Sequence, residues 1–76
     1  MNYLLKREAV EHLKKQYQNG TRVELGVMHD IYAPKPGTKG TVTGVDDIGT
    51  IFVEWDNGRV LGCIPGVDVI HIIVGG

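Results

Sequence analysis

The spacing of apolar residues changes once along this chain, at Asn19-Gly20, and no single regular element can accommodate both patterns. Before that point Leu5, Ala9, Val10, Leu13 and Tyr17 recur at the interval of about 3.6 residues that lines one face of a helix. Residues 3–18 contain no glycine or proline and are rich in Leu, Lys, Glu, Ala and Gln, all ready helix formers. Glu11 and Lys15 form an i, i+4 pair in the favourable order, Asn2 offers an N-cap, and Asn19-Gly20 offers a left-handed stop. The spacing predicts an amphipathic helix over 3–18.

Beyond Gly20 the apolar period is two, the mark of strands with one buried face. In residues 21–27, Val23, Leu25 and Val27 oppose Arg22 and Glu24; residues 28–37, with Pro34 and Pro36, read as a loop. Residues 39–45 form a second strand in which Gly40 and Gly44 suit a bulge or a sharp bend. After a turn at Asp46-Asp47-Ile48-Gly49, a third strand sets Ile51, Val53 and Trp55 against Thr50, Phe52 and Glu54. Asp56-Asn57-Gly58 signals a hairpin, residues 59–64 return, Pro65-Gly66-Val67 makes a corner, and residues 69–74 close the chain.

At 76 residues the chain has room for one small domain with a thin core. Five short strands cannot form a stable flat sheet at this size, because open edges would expose apolar side chains and unpaired backbone. The expected fold is mainly β, a strongly bent, partly closed five-stranded barrel, with Val23, Leu25, Val42, Ile51, Val53, Val60 and Ile64 inside. Residues 1–19 supply one amphipathic helix and residues 20–76 the barrel, as a single folding unit. The helix either folds back on its own barrel, which is favoured, or meets another chain. The apolar run VIHIIV adds a lean towards a homodimer.

The pieces GTRVEL, APKPGTKGTVTGVDDIGTIFVEWDNG and IPGVD, between Gly20 and Asp68, resemble a small family of bacterial and phage-borne domains of unknown function. Their order of glycines and valines and the Trp-Asp-Asn-Gly turn is more distantly similar to SH3-like small barrels, including KOW-type and Mind-bomb-type modules. The resemblance implies an SH3-like barrel and no activity, and the helix lies outside it. RNA-binding KOW modules present basic loops, whereas the turns here carry Asp46, Asp47 and Asp56. Peptide-binding SH3 domains use a groove of several aromatics, and this chain has five in all, two of them in the helix.

No constellation calls for catalysis, a cofactor or a metal. Cys63, within a short strand, reads as a buried small hydrophobe rather than a nucleophile beside His29 or His71. His12, His29 and His71 are scattered without paired ligand spacing. Asp46, Asp47 and Asp56 belong to turns. The segment Tyr32-Ala33-Pro34-Lys35-Pro36 is different, because prolines lower the ordering cost of a loop and Tyr32 offers a large amphipathic contact. Tyr32, Pro34, Lys35 and Pro36, with Trp55 and Arg59 nearby, are the candidate binding residues. The expected function is a non-catalytic module for a protein or peptide partner, and a small structural or assembly protein is a further alternative.

The rival is nucleic-acid binding through Lys6, Arg7, Lys14 and Lys15 of the helix with Lys35 and Lys39 of the loop. Charge speaks against it: residues 1–19 carry four cations against Glu8 and Glu11, but residues 20–76 carry four cations against seven carboxylates. One cysteine permits no internal disulfide, no apolar run approaches a membrane span, and the start MNYLLKREAVEHLKK lacks the apolar stretch of a secretion signal. A reduced, cytoplasmic location without membrane contact is the expectation. Affinity for nucleic acid comes largely from cations on phosphate. Titration with duplex DNA or RNA at physiological ionic strength is therefore expected to show no tight, salt-sensitive binding, and sub-micromolar affinity lost steeply on adding salt would overturn this.

Overall fold

The computed structural model describes residues 7–74, so Asn2, Tyr3, Leu4, Leu5 and Lys6 of the expected helix lie outside the described residues. The helix is α1 (Arg7–Gln16), followed by β1 (Arg22–Val27), β2 (Lys39–Val45), β3 (Ile51–Trp55), β4 (Val60–Cys63) and β5 (Val69–Ile72). All five predicted strands form. They make one antiparallel sheet in the order β4-β3-β2-β1-β5. Among the described residues the sheet does not close into a full barrel, and a parallel bridge joins Pro65 and Asp68 between its ends.

The core follows from alternation. Val23 and Leu25 of β1, Val42 of β2, Ile51, Val53 and Trp55 of β3 and Cys63 of β4 are buried and pack as one cluster, so the sheet bends around its own inner face. Two glycines of β2 make this possible in different ways. Gly44 sits at the register shift between Val42 and Gly44, the bulge expected of it. Gly40 pairs with Trp55, and a Cβ there would lie 2.6 Å from Val53 Cγ1, 2.7 Å from Trp55 Cε3 and 3.0 Å from the Glu54 carbonyl. Only a residue without a side chain lets the indole lie across β2. The indole Nε1–H is buried without a hydrogen-bond partner among the described residues, so Trp55 is held by packing.

Two core expectations and one strand-face expectation are corrected. Val60 and Ile64 are more than half exposed, because β4 pairs Val53 with Leu61 and Ile51 with Cys63. The inward positions of β4 are thus Leu61 and Cys63, one residue out of step with the reading from sequence. Val27 turns outward because the β1–β5 register shifts between Leu25 and Val27.

The helix docks on its own sheet. Val10 is buried, and Leu13 and Tyr17 pack against the core cluster, whereas Ala9 is exposed and off the buried stripe. The Lys14 ammonium donates to Asp47 Oδ1 at 2.9 Å, fixing the helix against the β2–β3 turn. After α1 the chain passes through Gly20 at φ 95°, a left-handed conformation that glycine adopts without strain. It then joins β2 by Gly20 N–H to the Val42 carbonyl and Val42 N–H to the Thr21 carbonyl. No helix among the described residues is long and apolar enough to cross a membrane.

The two β2 glycines give a paired test. Gly40→Ala forces a methyl into Val53, Trp55 and backbone, an overpacking expected to cost about 1–3 kcal/mol. Gly44→Ala meets nothing within 4 Å and has no positive φ to violate, so it is expected to change stability by less than about 0.5 kcal/mol. Urea denaturation of both variants measures the difference, and equal midpoints would contradict the packing described.

Candidate functional site

The loop of residues 28–37, between β1 and β2, is held in place by hydrogen bonds along its length. Asp30 starts it as an Asx turn: its Oδ1 accepts from Tyr32 N–H at 2.7 Å and its carbonyl from Ala33 N–H at 3.0 Å. Pro34 is buried and anchors the loop from beneath. Lys35 and Gly37 close it, through Thr38 N–H to the Lys35 carbonyl and Gly37 N–H to the Leu25 carbonyl. At its N-terminal end, His29 N–H donates to Asp68 Oδ1 at 3.1 Å. The same carboxylate accepts Ile64 N–H on its other oxygen at 2.9 Å. One side chain thus ties the loop to the corner where the sheet fails to close.

From this loop Tyr32 projects, 57% exposed, beneath the Arg59 guanidinium, whose carbon lies 5.4 Å from the ring centroid. That is cation–π distance. Arg59 comes from the β3–β4 hairpin, where its N–H donates to Asn57 Oδ1 and its carbonyl accepts Trp55 N–H. Lys35 and Pro36 are exposed on the loop and Lys39 at the start of β2. Of the six candidate binding residues, the fold brings Tyr32 and Arg59 into contact and leaves Lys35 and Pro36 exposed on the loop that carries Tyr32.

Trp55 and Pro34 are corrected: both are buried, Trp55 at 1% exposure, and offer no surface to a partner. Trp55 is linked to the site through its backbone N–H, which donates to the Arg59 carbonyl. Asp30 and Asp68, which fix the loop, were not among the residues singled out from sequence. The Asx spacing Asp30-Ile31-Tyr32 is a signal that could have found the first. Asp68 acts across 39 positions, and no local pattern points to it.

The cations of the nucleic-acid alternative are dispersed. Lys6 lies outside the described residues; Arg7 faces Glu11 at 3.6 Å and Lys14 is bound to Asp47. Lys35 and Lys39 stand near the start of β2 and Asp47 beyond its end, separated by the seven-residue strand, roughly 20 Å. Beside Lys39, Arg22 grips Asp56 with both guanidinium nitrogens, at 2.9 and 2.8 Å, and also donates to Thr41 Oγ1. That clasp spans β1, β2 and the end of β3. It holds the Asp56 carboxyl below the usual carboxylate range, mainly through the Arg22 hydrogen bonds, and it raises Arg22 in turn. The Lys14 hydrogen bond lowers Asp47 likewise.

A second feature lies at the gap in the sheet. Between α1, the end of β4 and β5 is a cleft of about 290 Å³ lined by Leu13, Tyr17, Ile51, Cys63, Asp68 and Ile70 among others. Its thiol is quiescent: burial, then the Asp68 charge, pushes Cys63 up to about 12, so it stays protonated at neutral pH. Among the described residues no three His, Cys, Asp or Glu side chains gather as metal ligands would.

A family described as a domain of unknown function (DUF4314) matches residues 6–73. The match takes in the whole of α1, so the helix is part of the family's domain rather than an addition to it, which corrects the narrower span read from sequence. No curated protein and no solved structure matches the chain.

Asp47 and Asp56 predict an acid response. Their folded pKa values lie below the ordinary 3.8, so the stability they contribute is present above that value and is lost as pH falls through the folded pKa. The thermal midpoint is expected to fall on acidification below about pH 5. Asp56→Asn should lower the midpoint at neutral pH and converge with the parent in acid; parallel curves at all pH values would show that the clasp contributes nothing.

Proposed function

The chain belongs to the DUF4314 family, and we propose that it is a non-catalytic binding module whose contact surface for a protein or peptide is centred on Tyr32 and Arg59. The observation that supports this is an exposed aromatic held under a guanidinium on a loop that is already ordered. Tyrosine and arginine are, with tryptophan, the residue types enriched among those that dominate protein interfaces. An exposed tyrosine on a loose loop would lose much of its contact energy to ordering. Here Asp30, Pro34, Gly37 and Asp68 have ordered the backbone before any partner arrives.

In this reading the barrel is of the SH3-like kind, and residues 28–37 take the place of its long recognition loop. Lys35 and Pro36 flank the Tyr32 contact, and Lys39 adds positive charge nearby. The surface is cationic and aromatic at its centre, which suits a partner segment that is acidic or carbonyl-rich. Dispersed cations give no comparable support to a nucleic-acid role.

The test is capture with the immobilised chain, identification of the bound protein, and titration with that protein purified. Tyr32→Ala and Arg59→Ala are each expected to weaken binding at least tenfold while leaving the melting temperature within a few degrees. Lys15→Ala, on the exposed face of α1, is expected to leave affinity unchanged. Binding that survives both the Tyr32 and the Arg59 substitution would overturn the proposal.

A further inference from the structure

We propose that the outer edge of β4 pairs with β4 of a second copy of this chain, giving a weak two-fold dimer. The Trp55 N–H bonds the Arg59 carbonyl, and the register continues through Val53↔Leu61 and Ile51↔Cys63. In an antiparallel ladder the residues between such pairs turn their N–H and C=O groups the other way. Val60, Gly62 and Ile64 therefore direct their backbone groups away from β3. The Ile64 N–H is taken by Asp68. That leaves Val60 and Gly62, two donors and two acceptors spaced for strand pairing, and among the described residues no strand lies beside them.

That set is self-complementary. A two-fold axis through Leu61 sets Val60 of one copy opposite Gly62 of the other, and Gly62 opposite Val60, each pair exchanging two hydrogen bonds. The side chains fit the same register. On the outer face Gly62 has no side chain of its own, and its neighbours crowd that position from the β3 side: a Cβ there would stand 2.7 Å from Thr50 Cγ2 and 3.4 Å from Phe52 Cε1. The second copy's Val60, 57% exposed in one chain, comes alongside Gly62, where no side chain of that residue stands in its way, and adds apolar cover next to Phe52, 38% exposed. On the inner face the two Leu61 side chains, half-buried in one chain, meet at the axis.

The strand also lacks the devices by which edges avoid one another. VLGC carries no lysine, no proline and no bulge, whereas the opposite edge strand, β5, carries His71 and meets β1 through a register shift. Charge places no obstacle on the axis, since Val60–Cys63 contains no ionisable residue except the buried, protonated Cys63. A four-residue strand pair with its flanking side chains belongs to the small interface class, below about 1,200 Å². Association is therefore concentration-dependent, and its hydrogen bonds come from Val60 and Gly62 without any group of Tyr32.

Sedimentation equilibrium of the full chain tests this together with amide hydrogen exchange at several protein concentrations. The apparent mass is expected to rise from 8.3 kDa towards twice that value as concentration reaches the millimolar range. The Val60 and Gly62 amides are expected to gain protection over the same range. Val60→Lys places like charges across the axis, and Val60→Pro removes an outward N–H without touching the β3 ladder. Either is expected to restore the monomer, and Tyr32→Ala is expected to leave the association intact. A chain that stays at monomer mass at millimolar concentration overturns the proposal, as does a dimer whose protected amides lie elsewhere. If a β4 variant fails to fold, the exchange pattern of the unaltered chain decides.

Discussion

The packing of Trp55 across Gly40 is the contact on which the rest of this structure depends. The largest side chain of the core stands opposite a residue with none, so β2 and β3 can approach while the sheet curves inward. A domain this small has little apolar area to bury, and one indole supplies a large share of it. The contact also sets the β3–β4 hairpin, because the Trp55 backbone is bonded to Arg59 and Gly58. The position of Arg59 over Tyr32 is thus inherited from the way the core is filled.

Polar interactions here act as ties between elements rather than as a buried network. Lys14–Asp47 joins helix to turn, Arg22–Asp56 spans three strands, and Asp68 joins loop to corner. The ion pairs are exposed, so each stabilises modestly and is weakened by salt. Their value is positional. Each closes a gap between segments more than thirty residues apart that the apolar core reaches only partly.

Much of the fold was legible because the two apolar periods are clean and the turns carry Asp, Asn and Gly where their geometry requires them. Strand β4 was misread because Val60, Leu61, Cys63 and Ile64 are apolar in both parities, and only pairing with β3 decides which face is inside. The helical stripe was over-wide for a similar reason: Ala9 lies beside the buried positions, and its small side chain marks no face. At the candidate site, residue type pointed to Tyr32 and Arg59, and the fold brings these two together at the surface. The same reasoning failed for Trp55 and Pro34, since an aromatic or a proline suits a core as well as a surface. The anchoring role of Asp68 depends on its distant partners, which sequence order does not reveal.

The double use of the Asp68 carboxylate bears on the order in which the molecule assembles. Its bonds to His29 and Ile64 require the C-terminal corner to be in place, and His29 lies 39 residues upstream. Such long closures are formed late, after nearer contacts have compensated for the lost chain freedom. During synthesis the loop that carries Tyr32 emerges early yet has no anchor at its N-terminal end until the last strand has left the ribosome. A truncated or still-growing chain thus carries a loop fastened at its C-terminal end alone, and the Tyr32 surface takes its final form once Asp68 is in place.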